Sequence, residues 1–163
     1  MGSASRHAIE SSKTALAGLG AKANLALGEQ LFAAGRAFAE SAQLRAVLAD
    51  PAVSDADKSS LLGKVFGKGL DATASKLLGQ IVSNRWSSQD DLLAGVEEIA
   101  IRAAVSGAKK NEAVDAELFA FSRAVSSDAE LELSLGSKLG NPDAKAALVA
   151  KLLGGKASAA TVT

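Results

Sequence analysis

Leu31-Phe32-Ala33-Ala34-Gly35-Arg36-Ala37 returns further along the chain as Leu118-Phe119-Ala120-Phe121-Ser122-Arg123-Ala124, an offset of 87 positions. The offset holds without a gap on both sides. Upstream, Gly20-Ala21-Lys22-Ala23-Asn24 meets Gly107-Ala108-Lys109-Lys110-Asn111, and downstream Lys58, Leu61, Lys64 and Gly67 meet Lys145, Leu148, Lys151 and Gly154. A unit written twice at fixed spacing is read as a repeat before any single residue is interpreted. Within the unit, Leu27, Leu31, Ala34 and Phe38 recur every three or four residues, the period of a helix with one broad buried face.

Working outward, Ile9, Ser12, Leu16 and Leu19 fall on one stripe and predict a first helix over 5–19, with a thin apolar face and Gly20 as its stop. A second helix is expected over 24–39. Ser41 caps a short third helix carrying Leu44, Val47 and Leu48, and Pro51 ends it by pushing the preceding residue out of the helical region. Ser54-Asp55-Ala56-Asp57 announces a fourth, with Leu61, Leu62, Val65 and Phe66 before Gly67. Residues 71–84 carry Ala74, Leu77, Leu78, Ile81 and Val82, a fifth helix apolar on more than one side, followed by Arg85-Trp86. A sixth, over 89–104, carries Leu92, Leu93, Val96, Ile99, Ala100 and Ala103.

The second copy keeps this punctuation where the letters change. Asp128 stands for Ser41 and Asn141 for Ser54, each exchanging one favoured cap for another, with Pro142 at the first helical position. Leu148, Val149, Leu152 and Leu153 reproduce the apolar pattern of the fourth helix. Under the same offset the helix at 89–104 aligns with the first helix of the chain, so one helix closes the first bundle and opens the second. The expected organisation is a six-helix domain over 1–105 and a partial second repeat over 90–163. The stretch from Ser106 to Ala113 reads as an exposed turn. Thr163 is the counterpart of Lys76, and about 28 further residues are needed by analogy to complete the second copy. Strand signals are almost absent, and the fold class is all-α.

Composition narrows the partners. The 18 basic and 18 acidic side chains cancel, which leaves no electrostatic footprint for nucleic acid or an anionic membrane. There is no cysteine, hence no disulfide framework and no thiolate site. Apolar runs fall far short of the roughly 20 residues a spanning helix needs, so no direct membrane insertion is expected. The N-terminus has no charged segment followed by an apolar block, and a cytoplasmic protein is expected.

Catalytic chemistry is sparse. His7, the only histidine, has no partner near it in sequence and receives no role. Gly63-Lys64, Gly67-Lys68 and Gly154-Gly155-Lys156 lack the spacing and the following hydroxyl of a phosphate loop, and read as helix ends with a lysine facing the dipole. Asp90-Asp91 suits the first turn of a helix, whereas Glu97-Glu98 reads as a solvated face. Arg36 and Arg123 recur at equivalent positions and are read as bundle-edge residues. Trp86 is either a core plug or the border of an interaction surface. No catalytic residue, cofactor or metal is expected. The thin first helix and the two-sided fifth leave either a groove for a partner's amphipathic helix or simply two faces that close the bundle.

The order Leu44, Leu48, Pro51, Lys58, Leu61-Leu62, followed by Leu77-Leu78-Gly79-Gln80-Ile81-Val82-Ser83-Asn84-Arg85-Trp86 and then Leu92-Leu93 and Ile99, resembles the delta subunit of F-type ATP synthases, the OSCP family, over about residues 8–105. The resemblance implies a six-helix bundle and a non-catalytic stator part. It sits on the catalytic head at the cytoplasmic face of the cell membrane and grips the N-terminal helix of an alpha subunit between its first and fifth helices. Carried onto this chain, that groove would be lined by Ile9, Leu16, Leu19, Leu77, Leu78 and Ile81. The resemblance further implies that Leu77→Asp or Ile81→Asp weakens partner binding while the fold survives. In the family a separate strand-rich C-terminal part holds the peripheral stalk b subunit; here a second helical copy stands in its place, so the stalk contact that the resemblance implies has no matching residues to be carried onto. The alternative is a helical-repeat adaptor that binds an amphipathic helix of an unrelated partner with the same faces.

Overall fold

The computed structural model describes residues 1–108 and 113–163. The turn expected across Ser106 to Ala113 lies in part outside the described residues. The helices are α1 (Ser3–Ala17), α2 (Leu25–Glu40), α3 (Ala42–Ala49), α4 (Asp55–Phe66), α5 (Ala72–Ser83), α6 (Gln89–Ser106), α7 (Val114–Ser126), α8 (Ala129–Gly136), α9 (Pro142–Leu153) and α10 (Ala159–Val162). No strand occurs among the described residues. The chain divides into two compact units, Met1–Gly107 and Ala108–Thr163, which places all of α6 in the first.

Helices α2–α6, α8 and α9 begin where a short polar side chain takes an orphan N–H of the first turn. Ser41 accepts from Leu44 N at 3.2 Å, Ser54 from Asp57 N at 3.1 Å, Asp71 from Ala74 N at 2.8 Å and Ser88 from Asp91 N at 3.1 Å. The second unit repeats the device with Asp128 on Glu130 and Leu131, and Asn141 on Asp143 and Ala144. Gly67 ends α4 with φ +50°, a conformation that a side chain disfavours. The first helix starts at Ser3 and stops at Ala17, so Leu19 falls in the turn after it, half-buried, instead of completing the α1 stripe.

In the first unit α2 and α6 form the central pair, and α1, α3, α4 and α5 pack around them. Leu31, Ala34 and Phe38 of α2 and Val96, Ile99, Ala100 and Ala103 of α6 are wholly enclosed. The two backbones approach so closely at Gly28 that a Cβ there would lie 2.8 Å from Ala104 Cβ and 2.9 Å from the Ala100 carbonyl oxygen. Trp86 resolves to the core plug: it is buried, packs its ring against Gly95, and its Nε1 donates to the Ile81 carbonyl at 2.9 Å. Lys58, 3% exposed, donates from Nζ to the Val82 carbonyl at 3.1 Å. Lys58 thus satisfies the Val82 carbonyl at the C-terminal end of α5, and Trp86 adds a second donor to the Ile81 carbonyl, which also accepts from the Asn84 N–H at 3.3 Å.

The second unit is built to the same local plan with a thinner core. In the first unit the Gln30 side chain receives the backbone N–H of Asp71, which opens α5. Glu117, which stands 87 positions after Gln30, receives the backbone N–H of Ser158, which opens α10. The same polar tie is therefore made twice at equivalent places. Burial is not repeated: Leu31 is 0% exposed and its counterpart Leu118 49%.

Candidate functional site

The sequence pattern nominated the line where α1 meets α5. Five of the six residues expected to line a groove there, Ile9, Leu16, Leu77, Leu78 and Ile81, belong to the continuous buried core, and Leu19 packs against that core from the turn. They cannot present side chains to a partner while they hold the bundle together. Their burial has a simple cause. A helix apolar on two sides needs two neighbours, and α5 already packs against α1, α2, α3, α4 and α6. It follows that Leu77→Asp and Ile81→Asp would bury a carboxylate without a partner and unfold the unit, and so cannot report on binding.

The outer surface of the same junction is a groove of about 470 Å³ lined by Ser11 and Ala15 of α1, Ser59 of α4, and Ser75, Lys76, Gly79, Gln80 and Ser83 of α5. Serine, alanine and one glycine make up most of its walls, and Lys76 and Gln80 are the two long side chains on it. A Cβ placed at Gly79 would find its nearest atom, Ser59 Oγ, at 3.9 Å. Small residues let another helix come close, backbone to backbone, and the hydroxyls offer hydrogen bonds along its side. The sequence signal for this surface was the same i, i+4 series one step round the helix: Ser75, Gly79 and Ser83 on α5, Ser11 and Ala15 on α1.

Polar ties fix α1 where the groove needs it. Ser5 is buried; its Oγ donates to Asp91 Oδ2 at 2.6 Å and accepts from Ser87 N at 2.9 Å, which pins the start of α1 to the start of α6. Asn84 Nδ2 donates to Ser12 Oγ at 3.4 Å, joining the end of α5 to mid-α1. On the far side of α1, Lys13 lies 2.9 Å from Glu10 and 3.4 Å from Glu98, which also receives Arg102 at 2.9 Å. Its hydrogen bond to Glu10 raises the Lys13 ammonium above its ordinary value, with Glu98 adding to the effect. Burial pushes Glu98 up, but Arg102 and Lys13 outweigh it and hold the carboxyl below the usual range. Glu98 is thus a bridge between α1 and α6, where the sequence suggested only a solvated face. Ser5, absent from the sequence-based candidates, carried no signal beyond being a small polar residue.

The remaining candidates are dispersed. His7 is exposed and lines an open cleft of about 870 Å³ with Asp50, Arg85 and Trp86 at one end of the unit. Arg36 and Arg123 are exposed. Among the described residues no group of three or more histidine or acidic side chains converges in a way that could hold a metal ion. No helix of the described residues is long and apolar enough to cross a membrane.

A six-helix bundle that closes on its own core, carries a small-residue groove on α1 and α5, and is followed by a second set of helices in the same register defines the class: a helical-bundle subunit of the OSCP type. The comparisons agree. Residues 14–99 match the family described as ATP synthase delta (OSCP) subunit. The chain belongs to that family. It is 56% identical over 162 residues to the ATP synthase subunit delta of Leifsonia xyli subsp. xyli, covering 99% of this chain and 61% of that protein. It is 35% identical over 167 residues to the ATP synthase subunit delta of Streptomyces griseus, covering 99% and 62%. A third such subunit, from Acidothermus cellulolyticus, is 36% identical over 139 residues, covering 83% and 51%. The chain spans about three fifths of the length of the first two relatives.

Proposed function

We propose that the chain is the helical part of a non-catalytic stator subunit of an F-type ATP synthase, resisting torque on the catalytic head by holding the N-terminal helix of an alpha subunit. The observation that carries the reading is the groove between α1 and α5, whose small lining residues admit a helix at close range. Family membership supports the assignment to an ATP synthase complex. The core residues first nominated for contact, Leu77, Leu78 and Ile81, act indirectly by holding α5 against α1. On this reading the subunit is peripheral to the membrane on its cytoplasmic face, and the link to the peripheral stalk b subunit is made by other parts of the delta subunit.

The test is calorimetric titration of the chain with a synthetic peptide of about 20 residues from the N-terminus of the cognate alpha subunit. Gly79→Leu places a branched side chain in the groove where a methyl already has room, so it blocks the peptide while the circular dichroism and melting of the protein stay close to the parent. Loss of affinity by at least tenfold in that variant supports the groove. Binding that Gly79→Leu leaves unchanged, or no binding by the parent, refutes it.

A further inference from the structure

Across α5 from the groove lies a second hollow of about 260 Å³, between α4 and α5, lined by Leu62, Leu70 and Leu78 and by Gly63 of α4 and Gly79 of α5. The three leucines are buried and form its floor. Ser59, Ser75, Lys76 and Gly79 belong to both hollows, so one surface runs from α1 across α5 to α4. Gly63 and Gly79 lie inside helices, and neither has a positive φ. A glycine in such a place weakens the helix relative to alanine. At Gly28 and Gly95 the fold accounts for that loss, because Ala104 and the Trp86 ring stand where a Cβ would go. At Gly63 nothing lies within 4 Å of the Cβ position, and at Gly79 the nearest atom is Ser59 Oγ at 3.9 Å. Neither backbone conformation nor packing within the described residues requires these two glycines; what they do is keep the hollow above the leucines open.

On the reading of the groove proposed above, we infer that this hollow is its anchor pocket: it receives one leucine- or phenylalanine-sized side chain of the helix held between α1 and α5. Ser75 and Gly79 line both hollows and leave the ridge of α5 between them low enough for a side chain to cross. A side chain seated over three leucines is withdrawn from water, which concentrates the binding free energy in one residue. Lys76 settles the charge of the occupant. It is exposed at the shared rim, it is the one charged side chain that lines either hollow, and among the described residues it forms no ion pair. The bound helix carries a carboxylate within one turn of its anchor residue, facing Lys76. An exposed pair of that kind fixes register more than it adds affinity.

The test uses the full chain and the alpha-subunit peptide of the preceding titration, with each bulky apolar residue of the peptide replaced in turn by alanine. One such replacement weakens binding to the parent at least tenfold. Gly63→Leu fills the hollow from the α4 side and lies outside the groove between α1 and α5. It weakens the unaltered peptide at least tenfold and changes the affinity of the peptide lacking its anchor by less than twofold. Gly63→Ala raises the melting temperature, because the fold does not need that glycine. Lys76→Gln weakens binding about two- to fivefold, and the loss disappears when the facing carboxylate of the peptide is made an amide. Binding that Gly63→Leu leaves unchanged while Gly79→Leu abolishes it overturns the anchor pocket and leaves the groove standing; no binding by the parent overturns both. An alanine scan of the peptide in which no residue dominates, or a Gly63→Ala variant that melts lower than the parent, also overturns the inference, and neither result depends on the folding of Gly63→Leu.

Discussion

Gly95→Ala tests the packing that closes the first unit. A methyl at this position would lie 2.1 Å from Trp86 Cη2, 2.6 Å from Cζ3 and 3.1 Å from Cζ2, well inside contact distance of a rigid ring. The ring cannot yield by rotating a terminal bond, and moving it breaks the hydrogen bond from Nε1 to the Ile81 carbonyl. Overpacking costs about 1–3 kcal/mol. The lost hydrogen bond adds about 0.5–1.5 kcal/mol, and the expected destabilisation is about 2–4 kcal/mol. For a unit of this size that corresponds to a fall in Tm of about 10–20 °C. Trp86 is the only tryptophan, so its fluorescence reads the perturbed site in the parent background, and urea unfolding followed by far-ultraviolet circular dichroism compares the two backgrounds. The control is Trp86→Phe: a smaller ring leaves room for the methyl, and Gly95→Ala in that background costs less than half of its effect in the parent. Equal costs in both backgrounds, or no shift in the parent, would refute the assignment of Trp86 and Gly95 as complementary surfaces.

Two further outcomes follow from the comparison of the repeats. Leu31→Ala empties a fully buried position and is expected to lower stability by about 2–5 kcal/mol, whereas Leu118→Ala, at the equivalent but half-exposed place, costs less than about 1 kcal/mol; paired denaturation curves decide. Acid should loosen both copies of the polar tie. Asp71 is held below the usual carboxylate range by the Ala74 N–H and by Gln30, and Glu117 by Thr161 and both donors of Ser158. A lowered folded-state value means that the stabilisation is fully present above the ordinary carboxylate pKa near about 4 and is lost as pH falls through the lowered values. Urea midpoints measured downward from neutral pH should hold and then drop in that acid window. Asp71→Asn keeps a capping oxygen and should remove part of the acid sensitivity of the first unit. A midpoint that begins to fall well above pH 5 would contradict the assignment.

The helices were legible because their signals are local. Ser41, Ser54, Asp71, Asp128 and Asn141 each cap the helix that follows them, and one residue in one place suffices to set a start. The end of α1 falls two residues short of the expected Leu19, although Gly18 and Leu19 keep helical dihedrals and the chain turns at the expected Gly20, whose φ is +54°. The residues named for the groove sit in the core. A hydrophobic stripe marks what is buried, and on α5 it marks the core; the outer groove is lined by Ser75, Gly79 and Ser83, whose small size carries no hydropathic signal. Ser5 and Glu98 were missed because their partners stand more than 80 positions away, a separation that no window reads.

The same distinction between local and distant information explains how the two copies have diverged. The caps and the tie from position 30 or 117 to the next helix start survive in both, because each needs few residues to agree. Gly28 and Gly35 of α2 do not survive; they correspond to Asp115 and Ser122 of α7. At Gly28 there is no room for a Cβ because α6 lies against it, while Asp115 and Ser122 are both exposed. α7 therefore lacks the close-approach position that Gly28 gives α2, and Phe121 stands where Ala34 is enclosed in the first unit. The second unit keeps the instructions for starting its helices and not the small residues that bring α2 and α6 together.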